Sequence, residues 1–182
     1  MQRCLPRPSG RAGMRPSLGA AMLLLLALGH GAAAAAPLLV NPFHDPCAQA
    51  THGLVGCPTP SPPIYTQAEI REVEHHRVER GNSCYLAGKC RYASSFDYDR
   101  GIAAALLPAV RADPALRDSA VWVLVQGRVV QLSGCVSQGD QIERLEAIAR
   151  ATPDVQVVLS DLLVGTRGHP PYQLALPASQ PP

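Results

Sequence analysis

Lysine is almost missing from this 182-residue chain: Lys89 stands alone among the basic residues, and the rest are arginines. Four of those, Arg3, Arg7, Arg11 and Arg15, lie in the first 36 residues, which hold no acidic residue. Without that stretch the formal charge goes from +2 to −2. No run of basic residues then remains to track a phosphate backbone, which excludes a nucleic-acid partner despite the basic pI. Aromatic residues make up 4% of the chain, with Trp122 the single tryptophan. No Cys-x-x-Cys is present, so a thioredoxin-like redox reaction has no starting point. Glu72, Glu74, His75 and His76 do not set two histidines one helical turn apart around a glutamate, as a zinc protease needs. No catalytic residue, metal ligand or cofactor site is expected.

Long hydrophobic runs are also scarce. The apolar stretch Leu18 to Leu28 is broken by Gly29, His30 and Gly31, well short of the roughly 20 residues that span a bilayer. Arginines before it and the small residues Gly31 to Ala36 after it give the order of a secretory signal peptide. Residues 1–36 are therefore expected to be a signal removed near Ala35 or Ala36, with Met14 a second candidate start. An exported, soluble protein should follow.

The remaining 146 residues fall into three textures. Residues 37–95 are rich in cysteine and proline. Residues 96–165 carry periodic apolar patterns. Residues 166–182 hold five prolines and little periodicity, which predicts a disordered tail. In the first part, Thr66 and Glu69 have capping-box spacing, and Ile70, Val73 and Arg77 continue a short helix over 66–80 before Gly81. Cys47, Cys57, Cys84 and Cys90 lie in loops poor in core-forming residues, which disulfides commonly staple in an oxidising compartment. Pairing neighbours, Cys47 with Cys57 and Cys84 with Cys90, is the simplest scheme, although spacing alone does not fix connectivity. A zinc site on His75, His76, Cys84 and Cys90 is disfavoured, because Cys-x5-Cys is wide for zinc and adjacent helical histidines diverge by about 100°. Cys135 is the odd cysteine after processing. It is left as a free thiol, an intermolecular link that makes a homodimer, or a partner for a loop cysteine.

The middle part is the most regular. A helix after Asp97 carries the stripe Ile102, Ala105, Leu106, Ala109 and Val110, with Pro108 inside it as a source of a kink. From Ser119 the period becomes two: Val121, Val123 and Val125 share one face, and Trp122 and Leu124 the other. A turn at Gln126–Gly127–Arg128 leads into a strand through Val130, Leu132, Gly134 and Val136, making a β-hairpin. Ser137 and Asp140 have capping-box spacing before a helix with Ile142, Leu145, Ile148 and Ala149, and Val155 to Val164 closes as a strand. The fold class is α+β: helix, strand, strand, helix, strand, packed as a three-stranded sheet with both helices on one face.

Leu132-Ser133-Gly134-Cys135-Val136 resembles the Leu-x-Gly-x-Val strand of the BON domain family. Val155, Val158, Leu162 and Val164 resemble that family's closing run, with Asp154 and Ser160 where its glycine and asparagine stand. The resemblance covers roughly 96–165. It implies a single non-catalytic module in a periplasmic envelope protein, acting on membrane phospholipid or an envelope protein. On this reading the structural motif is Leu132, Gly134 and Val136, with Gly134 admitting a close helix or a bulge. Arg100, Trp122 and Arg128 are the candidate contact surface, although Trp122 is more simply read as covered by the cysteine-rich segment. The charges from Phe96 to Val136 balance, so composition adds no electrostatic pull toward anionic lipid. The alternative function is a disulfide-stabilised structural protein that self-associates without binding lipid.

Overall fold

The computed structural model describes residues 37–175, so the expected signal peptide and the last part of the expected tail lie outside the described residues. The elements in chain order are β1 (Leu39–Val40), β2 (Cys47–Gln49), β3 (Ile64–Tyr65), α1 (Gln67–Glu79), α2 (Asn82–Leu86), α3 (Asp99–Ala112), β4 (Ser119–Gln126), β5 (Val129–Val136), α4 (Asp140–Ala151) and β6 (Val157–Val164). Short 3-10 turns at Ser95–Tyr98 and Pro114–Leu116 flank α3.

β4 and β5 pair antiparallel over their whole length, while β5 and β6 run parallel. The parallel step follows from α4, which returns the chain to the start of the sheet before β6 begins. Val121, Val123 and Val125 of β4 and Val130, Leu132 and Val136 of β5 turn to the helices and are buried, as the period of two requires. The sheet is not three-stranded, however. Strand order is β2-β4-β5-β6, because β2 from the cysteine-rich segment adds antiparallel to the outer edge of β4; β1 and β3 make a separate two-stranded ribbon. An unpaired edge beside β4 would leave backbone donors and acceptors without partners, and β2 supplies them. Beyond β2, Ala50 and Gly53 donate backbone N–H groups to the Val121 and Ser119 carbonyls at 2.7 and 2.8 Å, and the hydroxyls of Thr51 and Ser119 meet at 2.7 Å in a buried pair.

α1 begins as its sequence prescribes. The Glu69 amide donates to the Thr66 hydroxyl, and the Glu69 carboxylate accepts from the Thr66 amide at 2.6 Å. The spacing at Ser137 and Asp140 makes no such box. Instead the Gln141 side-chain carbonyl accepts from the Ser137 and Gln138 amides at 2.8 and 3.1 Å, while its amide donates to the Ala115 carbonyl at 2.7 Å. A buried glutamine thus caps α4 and ties it to the turn after α3. α3 runs on through Pro108, which lies on the exposed side. Its buried stripe is Ile102, Ala103, Leu106, Leu107 and Val110, with Ala105 and Ala109 outward. Rotation by part of a turn buries Leu107, whose apolar surface outweighs that of the two alanines.

Residues 166–175 are not a disordered tail. They fold back over the sheet: Pro60 bridges Leu174, the Ser61 amide donates to Gln173 at 2.8 Å, and the Ala175 amide donates to Thr59 at 3.0 Å. The tail and the Pro60–Pro63 segment form a flap over the face of the sheet opposite the helices. Its prolines lack N–H donors, and the segment bonds to the tail through Ser61.

Candidate functional site

Gly127 and Arg128 form the two-residue link between β4 and β5, both with positive φ, the signature of a tight hairpin turn that matches strand twist. Asp99, in the first turn of α3, holds it. Its carboxylate accepts the Gly127 amide at 2.6 Å and the Arg128 amide at 2.7 Å. Burial pushes the Asp99 carboxyl above its ordinary pKa, and the two backbone donors pull it partly back.

Arg128 was expected on a contact surface, but its side chain turns inward. Its Nε donates to the Asp154 carbonyl at 2.7 Å, its guanidinium lies 4.4 Å from the Tyr98 ring centre, and the side chain is 14% exposed. Left-handed backbone at Arg128 aims the side chain back across the end of the sheet, a geometry the strand alternation did not disclose. Trp122 is half-buried on the open face of β4, where it lines a cleft of about 480 Å³ beneath the flap, with Leu124, Gln126 and Gln131. Arg100 is exposed at the start of α3. The three expected contact residues therefore do not share one exposed surface: Arg100 is exposed, Arg128 is turned inward and Trp122 lies beneath the flap.

The cysteines correct a second expectation. Cys57 is joined to Cys135 and Cys84 to Cys90. Cys135 is thus neither a free thiol nor an intermolecular link, and Cys57 is not paired with Cys47. The reason is topological: pairing of β2 with β4 carries the chain across the sheet, and the segment that follows lays Cys57 over the open face of β5, where Cys135 points. Leu132 and Val136 lie in the core as the motif requires. Gly134 has φ +128, and a Cβ there would stand 2.1 Å from the Ala120 carbonyl oxygen and 3.1 Å from the Trp122 ring. Close approach is the right reading, but the close partner is strand β4 rather than a helix.

One arrangement was not visible in the sequence. Arg77 of α1 donates two hydrogen bonds to the buried Asp45 carboxylate, at 3.1 and 2.6 Å, and its guanidinium lies 4.4 and 3.7 Å from the ring centres of Phe43 and Phe96. Gln126 at the end of β4 donates a third bond to Asp45 at 2.7 Å. The helix is thereby locked to both the N-terminal segment and the sheet.

α2 and the Cys84–Cys90 disulfide make a small closed loop next to this cluster. The Gly88 and Lys89 amides return to the Tyr85 and Cys84 carbonyls at 2.9 and 3.0 Å. With the ring closed and the backbone bonded internally, the side chains point outward: Leu86 is 84% exposed and Tyr85 49%, and Lys89 is exposed between them and Arg91. The loop is fixed to the hairpin end of the sheet. The Tyr98 hydroxyl accepts the Arg91 and Tyr92 amides at 2.7 and 2.9 Å, and Arg91 bonds Asp154 at 2.6 Å. Loop and hairpin tip therefore share one end of the molecule. Disulfide formation also removes Cys84 and Cys90 as thiolate ligands for a metal.

Residues 98–166 match the family model described as the BON domain. That stretch of the chain is similar to the BON domain. The match spans α3 to β6, the hairpin with its Asp99 clamp included, and leaves the flap, α1 and the disulfide loop outside it. No curated protein and no solved structure matches the chain. BON domains are generally non-catalytic and are associated with envelope and phospholipid binding. Among the described residues, no helix is long and apolar enough to cross a membrane.

Proposed function

We propose that this chain is a non-catalytic, envelope-associated binding protein of the periplasm that meets phospholipid through the disulfide loop beside the hairpin end of its BON-like domain. The observation that carries this reading is the exposure of Leu86 and Tyr85 beside Lys89 on a rigid, disulfide-closed loop at that end. A leucine that enters the acyl boundary, a tyrosine suited to the headgroup level and a flexible cation make an interfacial contact. The loop cannot bury Leu86 within the molecule, and its closure means that little conformational freedom is lost on docking. Periplasmic residence is supported by the Cys57–Cys135 and Cys84–Cys90 disulfides, a kind of bond that persists in oxidising compartments, and by the leader-like order of residues 1–36. The alternative of self-association through Cys135 loses its basis, because that sulfur is bonded to Cys57.

Co-sedimentation of the protein, expressed for export from its full reading frame, with phosphatidylglycerol-containing and purely phosphatidylcholine vesicles tests the reading. Binding to the anionic vesicles that weakens as salt rises is expected, since a surface cation contributes about 1 kcal/mol to attraction by an anionic leaflet. No sedimentation with either vesicle would overturn lipid contact and transfer the adaptor role to an envelope protein.

A further inference from the structure

The outer edge of β6 has no strand partner among the described residues. Exposed edges are ordinarily guarded by lysine, proline, a bulge or extreme shortness. β6 has eight residues with no lysine, arginine or proline, and Val157, Leu159 and Val164 are 45%, 49% and 51% exposed. Its one charge, Asp161, is taken up by Gln131 of β5 at 2.9 Å. This is an edge open to strand addition.

Its sequence also suits one particular partner. When two identical antiparallel strands are related by a two-fold axis, the axis stands perpendicular to the sheet. Each residue then meets one on the same face, and a single residue meets its own copy. Centring on Ser160 sets Val158 against Leu162 and Val157 against Leu163, apolar on both faces. Centring on Asp161 opposes two carboxylates, which is destabilising. Ser160 itself has the buried side-chain oxygen that finds no hydrogen-bond partner among the described residues. That hydroxyl lies beside the Glu146 carboxylate of α4 and, with Arg150, holds it below its ordinary pKa. Ser160 is small and uncharged, so its two copies can meet at the axis without opposing charges.

We propose that two copies of this chain pair antiparallel through β6 with the two-fold axis at Ser160, fusing two four-stranded sheets into one. Each copy keeps its helices on the same face as its partner's. The pairing does not depend on lipid contact, which uses the disulfide loop beside the hairpin end of the domain.

The register makes a charge-sign test available, because Leu159 of one copy faces Asp161 of the other. Sedimentation equilibrium of the full chain is expected to give a dimer. Leu159→Glu should raise the dimer dissociation constant more than about tenfold, by setting like charges opposite each other twice in the interface. Leu159→Lys, which faces the same carboxylate with the opposite sign, should keep the dimer. A Ser160→Cys variant should form an interchain disulfide under mild oxidation, while Arg71→Cys on α1 should not. A wild-type monomer throughout the micromolar range would overturn the proposal. So would equal behaviour of the two Leu159 variants together with no Ser160→Cys cross-link.

Discussion

Cys57 and Cys135 are bonded across 78 positions of sequence, with Cα atoms 5.7 Å apart. The bond fastens the cysteine-rich segment to the middle of the BON-like sheet. Tyr172 from the returning tail closes over it, donating to the Pro58 carbonyl at 2.8 Å. Replacing both cysteines by alanine should lower stability by about 4.5 kcal/mol, from the loop-closure relation for a loop of this length. The Cys84–Cys90 pair, with a separation of 6, should be worth closer to about 2 kcal/mol. Guanidinium unfolding of the two double variants measures the difference, and non-reducing mass mapping should recover peptides that join Cys57 to Cys135.

Gly134→Ala should destabilise by more than about 2 kcal/mol. A methyl group would strike the Ala120 carbonyl, and the backbone would still have to hold a conformation that L side chains rarely adopt. Thermal unfolding of the variant reads the loss. The Trp122 ring, 3.1 Å from the same point, must also give way slightly, so its fluorescence should shift as well.

Arg77 is held by carboxylate and rings together, which makes lysine a poor substitute. Arg77→Ala leaves the buried Asp45 carboxylate with Gln126 as its remaining side-chain donor and should cost about 3 to 5 kcal/mol. Arg77→Lys should recover only part of that, since an ammonium neither stacks between Phe43 and Phe96 nor bonds both oxygens in a plane. Denaturant midpoints of the two variants give the order.

Asp99 predicts a definite pH dependence. Burial raises its folded pKa above the unfolded value of about 3.9. Between those two values the folded state binds more protons than the unfolded one, so this group's contribution to stability falls as pH rises through the window and is level above it. The stability difference between wild type and Asp99→Asn, followed by unfolding from pH 3 upward, should decline over that window. A difference that increased with pH would show that the two backbone hydrogen bonds outweigh burial.

Much of the BON-like domain could be read from the sequence, because its signals are local. The alternation Val121-Trp122-Val123-Leu124-Val125 sorts the faces of β4, and the apolar spacing of Leu145 and Ala149 finds the face of α4. What escaped depends on partners distant in the chain. β2 is three residues long with no alternation to betray it, and it is a strand because β4 has an edge to fill. Nothing in the spacing of Cys57 and Cys135 indicates that they meet; only the course of the segment across the sheet brings them together. Arg128 belongs to the candidate contact surface on the family reading, whereas its positive φ aims the side chain inward. Leu86 sits between closely spaced cysteines, and its exposure becomes evident only once the small loop is seen to have nothing to pack against.

Binding of wild type and Leu86→Asp to phosphatidylglycerol-containing vesicles, measured side by side, tests the lipid reading most directly. Leu86 makes little contact within the molecule, so the variant should fold with an unchanged melting temperature. Its affinity for the vesicles should fall by more than about tenfold, as an apolar anchor is lost and a like charge is brought to the anionic surface. Equal binding by the two proteins would contradict contact through the disulfide loop.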